Sequence, residues 1–386
     1  MTKKIITSNN VLVGENLELK KDIGLVIEND KIIDIIENFN SDNTNYEVLN
    51  YNEKIIMPGM IDCHNHLALD ARLENHLEKM NDPEVEHSIR AIKTMKDDLE
   101  SGVTASRCMG DKYYIDIAFK SAQNEGRVIG PRLTVCGIGM RSLHGHGYVG
   151  MPFVGEQEFR KQSRENIRRG ADFLKLFTTG VINKDDNIPA YLTLKEMQAV
   201  VEEANSVNIP TAIHVSGGIA LDRSIDAGIT TLEHVYYIND EQIQRVKDTK
   251  TWVVFTPSYG LNDDILLKFS PKNYEESMQE KEKIKKCLSK AIKAGINFGI
   301  GTDGLHAGLS KEAKYIHELG AENIDVLKGI TVNAAKILRR DDLGSIDINK
   351  KADFVVLDKN PLDNIDALKY VYQVIQGGME ILNKNN

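Results

Sequence analysis

Ile55-Ile-Met-Pro-Gly-Met-Ile-Asp-Cys-His64-Asn-His66 is an apolar run that closes on two histidines one residue apart. Alternate side chains of a strand share a face, so His64 and His66 can point into one space and grip one cation. Alone the pair is a weak signal, since histidines also serve as ordinary polar positions near strand ends. Its weight comes from what recurs downstream. Lys175, His214, His234 and Asp303 each stand at or near the end of another short apolar run.

From residue 55 onward, apolar β-branched runs alternate with amphipathic helical stretches, the pattern of a parallel sheet built from strand–helix units. Eight runs can be counted, at 59–66, 102–109, 132–137, 172–178, 210–215, 230–235, 251–256 and 296–303. Helical spacing falls between them at 84–101, 113–126, 155–169, 193–207, 218–227 and 273–294. Eight repeats predict a (β/α)8 TIM barrel over residues 58–344, with its chemistry at the C-terminal ends of the strands. His64 and His66 end the first strand, Lys175 lies in the fourth, His214 ends the fifth, His234 the sixth and Asp303 the eighth.

The flanks read differently. Short alternating runs such as Gly24-Leu-Val-Ile-Glu and Lys31-Ile-Ile-Asp-Ile-Ile are separated by Asn/Asp-rich turns, and Ala352-Asp-Phe-Val-Val-Leu-Asp repeats the style near the other end. Both flanks predict antiparallel strands, and the simplest arrangement joins residues 1–57 and 345–386 in one small β-sandwich domain. Residues 38–45 read as an exposed hairpin loop, and the charged run 275–293 as a solvated helix face.

A chain of 386 residues can bury a large core. A net charge of −9 without long basic stretches argues against nucleic acid and for a small-molecule substrate. The first ten residues hold no apolar segment long enough for a signal peptide, and no later stretch approaches a membrane span, so the expectation is a cytoplasmic protein without a membrane partner. Cys63, Cys108, Cys136 and Cys287 show no pairing pattern, and three fall in predicted strands, where they read as buried small hydrophobes. Cys63 would face away from the metal.

Met57-Pro-Gly-Met-Ile-Asp-Cys-His-Asn-His66, Ala171-Asp-Phe-Leu-Lys-Leu-Phe177, Leu232-Glu-His234, Gly299-Ile-Gly-Thr-Asp303 and the tail from Gly344 to Asp358 together resemble the amidohydrolase superfamily of metal-dependent hydrolases. Within it the chain is most similar to the imidazolonepropionase-related branch, especially the Xaa-Pro and Xaa-Arg dipeptidases. Two departures stand out. Relatives usually carry Arg-Asp after the second strand, where this chain has Arg107-Cys108, and the loop Gly304-Leu-His-Ala-Gly308 differs from commoner forms.

Four imidazoles and a carboxylate suit zinc, with manganese or iron as compatible alternatives. Lys175 decides how many ions the site holds. An ammonium cannot coordinate a cation, and in binuclear members of the superfamily the lysine is a carbamate bridging two metals. The resemblance then implies that His64, His66 and Asp303 hold one divalent ion and His214 and His234 the other, with carboxylated Lys175 between them. The parity of Phe173, Lys175 and Phe177 agrees with an inward lysine, since an outward one would be buried without explanation. Two such metals can share one hydroxide as nucleophile, with Asp303 as base and then acid.

The reading is therefore a binuclear amide hydrolase acting on a dipeptide or an N-acyl amino acid. A cyclic amide hydrolase of the imidazolonepropionase type is the leading alternative. A deaminase is disfavoured, because those relatives place a glutamate three positions after the fifth-strand histidine, where this chain has Gly217. A catalytically dead barrel is also disfavoured, because structural zinc sites are usually closed and this ligand set leaves open positions.

Arg141-Ser-Leu-His-Gly-His-Gly147 follows the third strand and should overhang the metals. By resemblance His146 polarises the carbonyl or binds a carboxylate, with His144 second, and Tyr237 hydrogen-bonds the substrate carbonyl. Plain loop packing is the competing reading for each. Arg141 and His306 are candidates for a substrate α-carboxylate, given the fit of a guanidinium fork to that group. His76, His87 and His317 fall in helical stretches and receive no role. Relatives often oligomerise, which extends the same expectation to this chain as a homo-oligomer.

Overall fold

The computed structural model describes residues 3–41, 44–180, 188–269 and 274–383. Each of the eight expected runs contains a strand: Met60–Asn65, Val103–Cys108, Arg132–Val135, Leu174–Phe177, Thr211–Gly217, Thr231–Tyr237, Trp252–Phe255 and Phe298–Ile300. The first three form one parallel sheet and the other five form most of a second. Backbone bonds bridge the two sheets at both ends. Asp172 N–H donates to the Val135 carbonyl at 2.7 Å, and the Thr302 and Asp303 N–H groups donate to the His64 carbonyl at 3.0 and 2.7 Å. The protein is thus a mixed α/β fold with a parallel-sheet core.

Helix ends explain themselves locally. Helix Leu194–Ser206 starts at a Thr193–Glu196 capping box, and helix Gly155–Arg169 stops at Gly170, whose φ of +97° suits only glycine. Helices Asp240–Thr249, Asn323–Gly329 and Val332–Leu338 are among those the periodicity reading did not mark, the first although Asn239 and Gln242 form a capping box ahead of it. Two short strands, Met140–Ser142 and Met151–Phe153, were also unanticipated; they add to the edge of the second sheet beside Leu174–Phe177.

The flanking strands form two further sheets. One runs in the order Lys31–Ile36, Ile23–Glu28, Lys4–Ser8, Glu47–Asn50. The other runs Met379–Asn383, Val371–Gln376, Phe354–Leu357, Ile55–Pro58, Asn10–Val13, Glu18–Lys20, and so draws on both flanks of the sequence. Ile6, Leu25 and Ile27 from the first share one apolar cluster with Ile56, Phe354 and Val356 from the second. Each such side chain contributes about 1.5–3 kcal/mol by leaving water. Two expectations are corrected. Lys4–Ser8 pairs with Glu47–Asn50, and Asn10–Val13 with Ile55–Pro58, in parallel rather than antiparallel register. Residues 38–45 do not close a hairpin either, because the strands they connect lie at opposite edges of the four-stranded sheet; of that segment, 42 and 43 lie outside the described residues.

Helix Tyr274–Lys293 carries the charged run expected to face solvent. Its other face buries Ile284, Leu288 and Ala291 in the main core. Among the described residues, no helix is long and apolar enough to cross a membrane.

Candidate metal centre

The C-terminal ends of the parallel strands bring His64, His66 and Asp303 together. Asp303 Oδ1 lies 3.3 Å from His64 Nε2 and 3.4 Å from His66 Nε2, so three donor atoms converge on one point. The approach of strand to strand depends on Gly301: a Cβ there would meet the His64 backbone nitrogen at 2.5 Å. Asp62 locks the junction, accepting hydrogen bonds from the His64 N–H and from both the N–H and hydroxyl of Thr302.

The other histidines continue the cluster. Ring centroids lie 4.7 Å apart for His64 and His234, 4.4 Å for His234 and His214, and 5.0 Å for His214 and His146. Outer nitrogens are tethered to the protein: His64 Nδ1 to Glu233 at 2.8 Å, His66 Nδ1 to the Gly110 carbonyl at 2.7 Å, and His234 Nδ1 to the Thr256 hydroxyl at 2.6 Å. Such contacts fix ring orientation and leave Nε2 for a cation. His214 differs, with its Nε2 3.4 Å from the Gly180 carbonyl.

Among the buried polar atoms without a hydrogen-bond partner in the described residues, two belong to this ligand set, Lys175 Nζ and His234 Nε2. Leaving such atoms unpaired costs about 1–3 kcal/mol each or more, so both point to groups that are not protein. The donor set and these orphaned atoms fit divalent metals. Lys175 is fully buried, between Phe173 and Phe177 in the sequence, with its Nζ 4.9 Å from the centroid of the Phe177 ring. Burial lowers its pKa to about 8, against the pull of Glu233 and Asp303. Burial pushes the Asp303 carboxyl up, but the histidine charge and hydrogen bonds around it win and hold it well below the usual range. Burial also holds His214 and His234 well below the ordinary histidine value.

Strained backbone supports two of these strand ends. His234, Val235 and Asp303 have φ of +77°, +46° and +53°, a region that costs a non-glycine residue about 1–3 kcal/mol. The kink at His234–Val235, beside a register shift against the fifth strand, lets consecutive residues both face inward. Glu233 reaches His64 while His234 turns to its neighbours. Sequence parity, which sends adjacent side chains to opposite faces, could not have found Glu233. Arg107 completes the support: its Nη2 lies 2.9 and 3.1 Å from the two Glu233 carboxylate oxygens, and its Nε donates to the Cys63 carbonyl. Burial alone would raise the Glu233 pKa, yet Arg107 and His64 hold it at about 2.

Over the candidate metal centre opens a small cavity of about 50 Å3, lined by His64, His66, His146, His214 and Asp303 and by apolar groups such as Phe177 and Val149. His146 is where the sequence placed it, and burial lowers its pKa to about 4. His144 is exposed, takes its Nδ1 to the Ser142 hydroxyl and packs edge-on against Tyr191, outside the lining. Arg141 is also outside it; its Nη1 donates to the carbonyls of Ser142, Leu143 and Gly145, so it braces the loop that carries His146. Tyr237 is buried beneath Lys283, whose Nζ sits 5.3 Å over its ring, and does not line the cavity.

His306 corrects the sequence reading. Its Nδ1 lies 2.8 Å from Asp98 Oδ2 and its Nε2 3.0 Å from the Leu69 carbonyl, so both nitrogens are committed to protein acceptors and none is left for a substrate carboxylate. His76 corrects it in the opposite sense: it stands in a turn ahead of the short helix Glu78–Asn81 and lines the cavity. No periodicity marked that turn. His87 lies in helix Glu84–Glu100 and His317 in helix Leu309–Glu318, as the spacing predicted. Cys63, Cys108 and Cys136 are buried, and Cys63 packs with Ile61 and Ile337 away from the histidines.

Comparison with known proteins agrees. Residues 55–380 match the amidohydrolase family profile. Among curated relatives, an ochratoxinase of Aspergillus niger is 27% identical over an alignment covering 84% of this chain and 75% of that protein. A 5-methylthioadenosine/S-adenosylhomocysteine deaminase of Thermoanaerobacter pseudethanolicus is 26% identical, covering 96% and 89%, and an imidazolonepropionase of Fusobacterium nucleatum 23%, covering 89% and 87%. Among solved structures, a prolidase complexed with N-methylphosphonate-L-proline superposes with a TM-score of 0.87 at 25% identity, covering 99% of this chain and 100% of that one. A Xaa-Pro dipeptidase with bound methionine gives 0.85 at 24%, covering 98% and 99%, and shares the fold.

Proposed function

The chain belongs to the amidohydrolase family of hydrolases acting on C–N bonds, and from that premise we propose that it is a binuclear, zinc-dependent hydrolase of a linear amide, a dipeptide or N-acyl amino acid. The observation that carries this reading is the convergence of His64, His66 and Asp303 beside two buried atoms without partners among the described residues, Lys175 Nζ and His234 Nε2. The same reading takes the two parallel sheets as one closed (β/α)8 barrel over residues 58–344, and the flanking sheets as a sandwich domain of residues 1–57 and 345–386. It places the enzyme in the cytoplasm.

His64, His66 and Asp303 would hold one cation and His214 and His234 the other, with a carboxylated Lys175 shared between them. A lysine with its pKa lowered to about 8 presents a fraction of neutral amine at neutral pH, the form that adds carbon dioxide. Divalent cations bound there supply Lewis acidity and lower the pKa of a water nucleophile from about 15.7 to about 7. Asp303 takes the proton of the attacking water and delivers it to the departing nitrogen, one carboxylate doing base and then acid work. His146, neutral at physiological pH because burial lowers its pKa to about 4, donates a hydrogen bond to the scissile carbonyl from the cavity wall. Arg141 braces the loop that carries His146, and His144 and Tyr237 stand outside the cavity lining.

A prolidase and a Xaa-Pro dipeptidase among the solved neighbours favour a linear peptide bond. The imidazolonepropionase relative keeps cyclic amides as the second reading, because the same ligands serve both. Deamination fits poorly despite a deaminase relative. The position where such an acid would stand is Gly217, where a Cβ would meet Tyr237 Cβ at 2.9 Å and its carbonyl at 3.0 Å.

The deciding experiment is release of free amino acids by zinc-loaded protein from dipeptides and N-acyl amino acids, with a chelator-treated control. Chelator-sensitive release supports the proposal. No release from any linear amide, with turnover of a cyclic amide instead, replaces it.

A further inference from the structure

Around the candidate metal centre, His64, His66 and His234 each have a ring nitrogen tethered to a protein oxygen, and His214 Nε2 faces the Gly180 carbonyl. His146 differs. Among the described residues nothing hydrogen-bonds its ring, which meets the His214 ring at 5.0 Å and the Tyr148 ring at 6.1 Å between centroids. Its place is therefore set by the backbone that carries it, the loop between strands Met140–Ser142 and Met151–Phe153.

That loop is wound on one side chain. Phe177, the last residue of strand Leu174–Phe177, is 3% exposed, and three glycines close on its ring. A Cβ at Gly147, where φ is +110°, would stand 2.6 Å from the ring's Cγ. A Cβ at Gly139 would stand 2.6 Å from Cε2, and one at Gly150 would stand 3.2 Å from Cε2 while running into the Gly139 carbonyl. Only residues without a side chain let the backbone lie this close to the ring. Hydrogen bonds then close the loop on itself: Gly145 N–H donates to the Ser142 carbonyl at 3.0 Å, Gly150 N–H to the Gly147 carbonyl at 2.8 Å, and Met151 N–H to the Gly139 carbonyl at 2.9 Å. Phe177 shares its apolar cluster with Val149 of the same loop and with Ala68, Leu69 and Met80 from the segment after the first strand.

Consecutive Cα atoms lie about 3.8 Å apart, so a loop pinned to the ring at Gly147 carries His146 at a fixed height. The same ring stands two residues past Lys175 and 5.9 Å, centroid to centroid, from His214, so it registers the loop against strands that carry candidate ligands. We propose that Phe177 is a positioning residue for His146: its ring is the template around which residues 139–150 are wound, and it holds the His146 imidazole over the ligand cluster. The inference rests on the assignment of His146 to the scissile carbonyl made above. A flat, rigid ring gives three glycines a surface to lie on that a branched aliphatic chain does not.

The test has two arms on the zinc-loaded full chain, with zinc content and circular dichroism to verify each variant. The first needs no substrate: hydrogen–deuterium exchange of peptides spanning 139–151. Phe177→Leu removes the ring edge and should speed exchange there by about tenfold, with the parallel strands unchanged. Gly139→Ala drives a methyl into that edge and should do the same, whereas Gly139→Ala/Phe177→Leu, in which the methyl fills the space left by the ring, should recover most of the protection. The second arm is kinetic, on whichever amide, linear or cyclic, the wild type turns over. Phe177→Leu should lower kcat by about 10²-fold with little change in KM, the scale of loss for a misplaced contact. In a His146→Ala background the same change should cost no more than about twofold, because the residue it positions is already gone, whereas a plain packing residue would cost its full factor in both backgrounds. Unchanged exchange in Phe177→Leu, a double variant as loose as the singles, or a full further loss of kcat beside His146→Ala would overturn the proposal. A wild type that turns over no amide would remove the functional reading instead, and the exchange arm would then decide whether Phe177 holds the loop.

Discussion

Glu233 Oε2 stands 2.8 Å from Nδ1 of His64, so a carboxylate one residue before one candidate ligand orients another on a different strand. Arg107 in turn holds Glu233, and all three side chains are buried. Losing such support to a metal-binding histidine typically weakens metal binding about 10–100-fold. Glu233→Gln keeps the shape and removes the charge, and it should raise the zinc dissociation constant by that factor in a chelator competition. Arg107→Met should do something different. It leaves the Glu233 carboxylate buried and uncompensated, at a cost of about 3–5 kcal/mol, visible as a large fall in thermal midpoint even in the presence of metal.

Lys175→Ala should lower the metal content of purified protein from two ions per chain toward one and remove most activity. Lys175→Glu restores an anionic oxygen donor to the same wall and should recover part of the second equivalent. Because acid strips carbamates, the modification itself is better read by 13C NMR after labelled bicarbonate is added: a carbamate resonance in wild type, absent in both variants. Two ions bound to Lys175→Ala with full turnover would remove the lysine from the site.

Asp303→Asn retains an oxygen donor but cannot take a proton. Metal content should fall modestly, while kcat drops by the roughly 10²–10⁴-fold attributed to a positioned acid–base group. Wild-type turnover in this variant would reassign the proton transfer, with His146 the next residue to change.

The strands were legible because each is a short apolar run bounded by helical spacing, and the candidate metal-binding set was legible because its members recur at the ends of those runs. What escaped depends on geometry that periodicity does not carry. Glu233 was hidden by the positive φ at His234 and Val235, which breaks the alternation of faces. His76 sits in an irregular turn with no pattern around it. His306 was read as a substrate contact because a histidine near the eighth strand has the right chemistry; only the positions of Asp98 and the Leu69 carbonyl show that its valences are taken. Helix Asp240–Thr249 carried its own start signal in Asn239 and Gln242, and its few apolar positions, Ile243 and Val246, gave too short a stripe to register.

His306 supplies a test of stability against pH. Both its nitrogens face acceptors, a carboxylate oxygen and a carbonyl, an arrangement in which only a doubly protonated, cationic ring donates to both. Burial pushes its pKa down, but Asp98 outweighs burial and the net shift is upward. A histidine with a raised folded-state pKa contributes stability that is fully present below its unfolded value of about 6.5 and is lost as pH rises through the folded value. Asp98 also accepts from the Asn65 side chain and the Ala307 N–H, so this one contact ties the first strand to the loop after Asp303. His306→Gln keeps one donor and cannot become charged. The thermal midpoint of wild type should exceed that of His306→Gln most clearly near pH 5.5, and the gap should narrow as the pH is raised above 6.5. A gap that stays constant from acid to alkaline pH would mean that the ring is neutral and one of the two contacts is not a hydrogen bond.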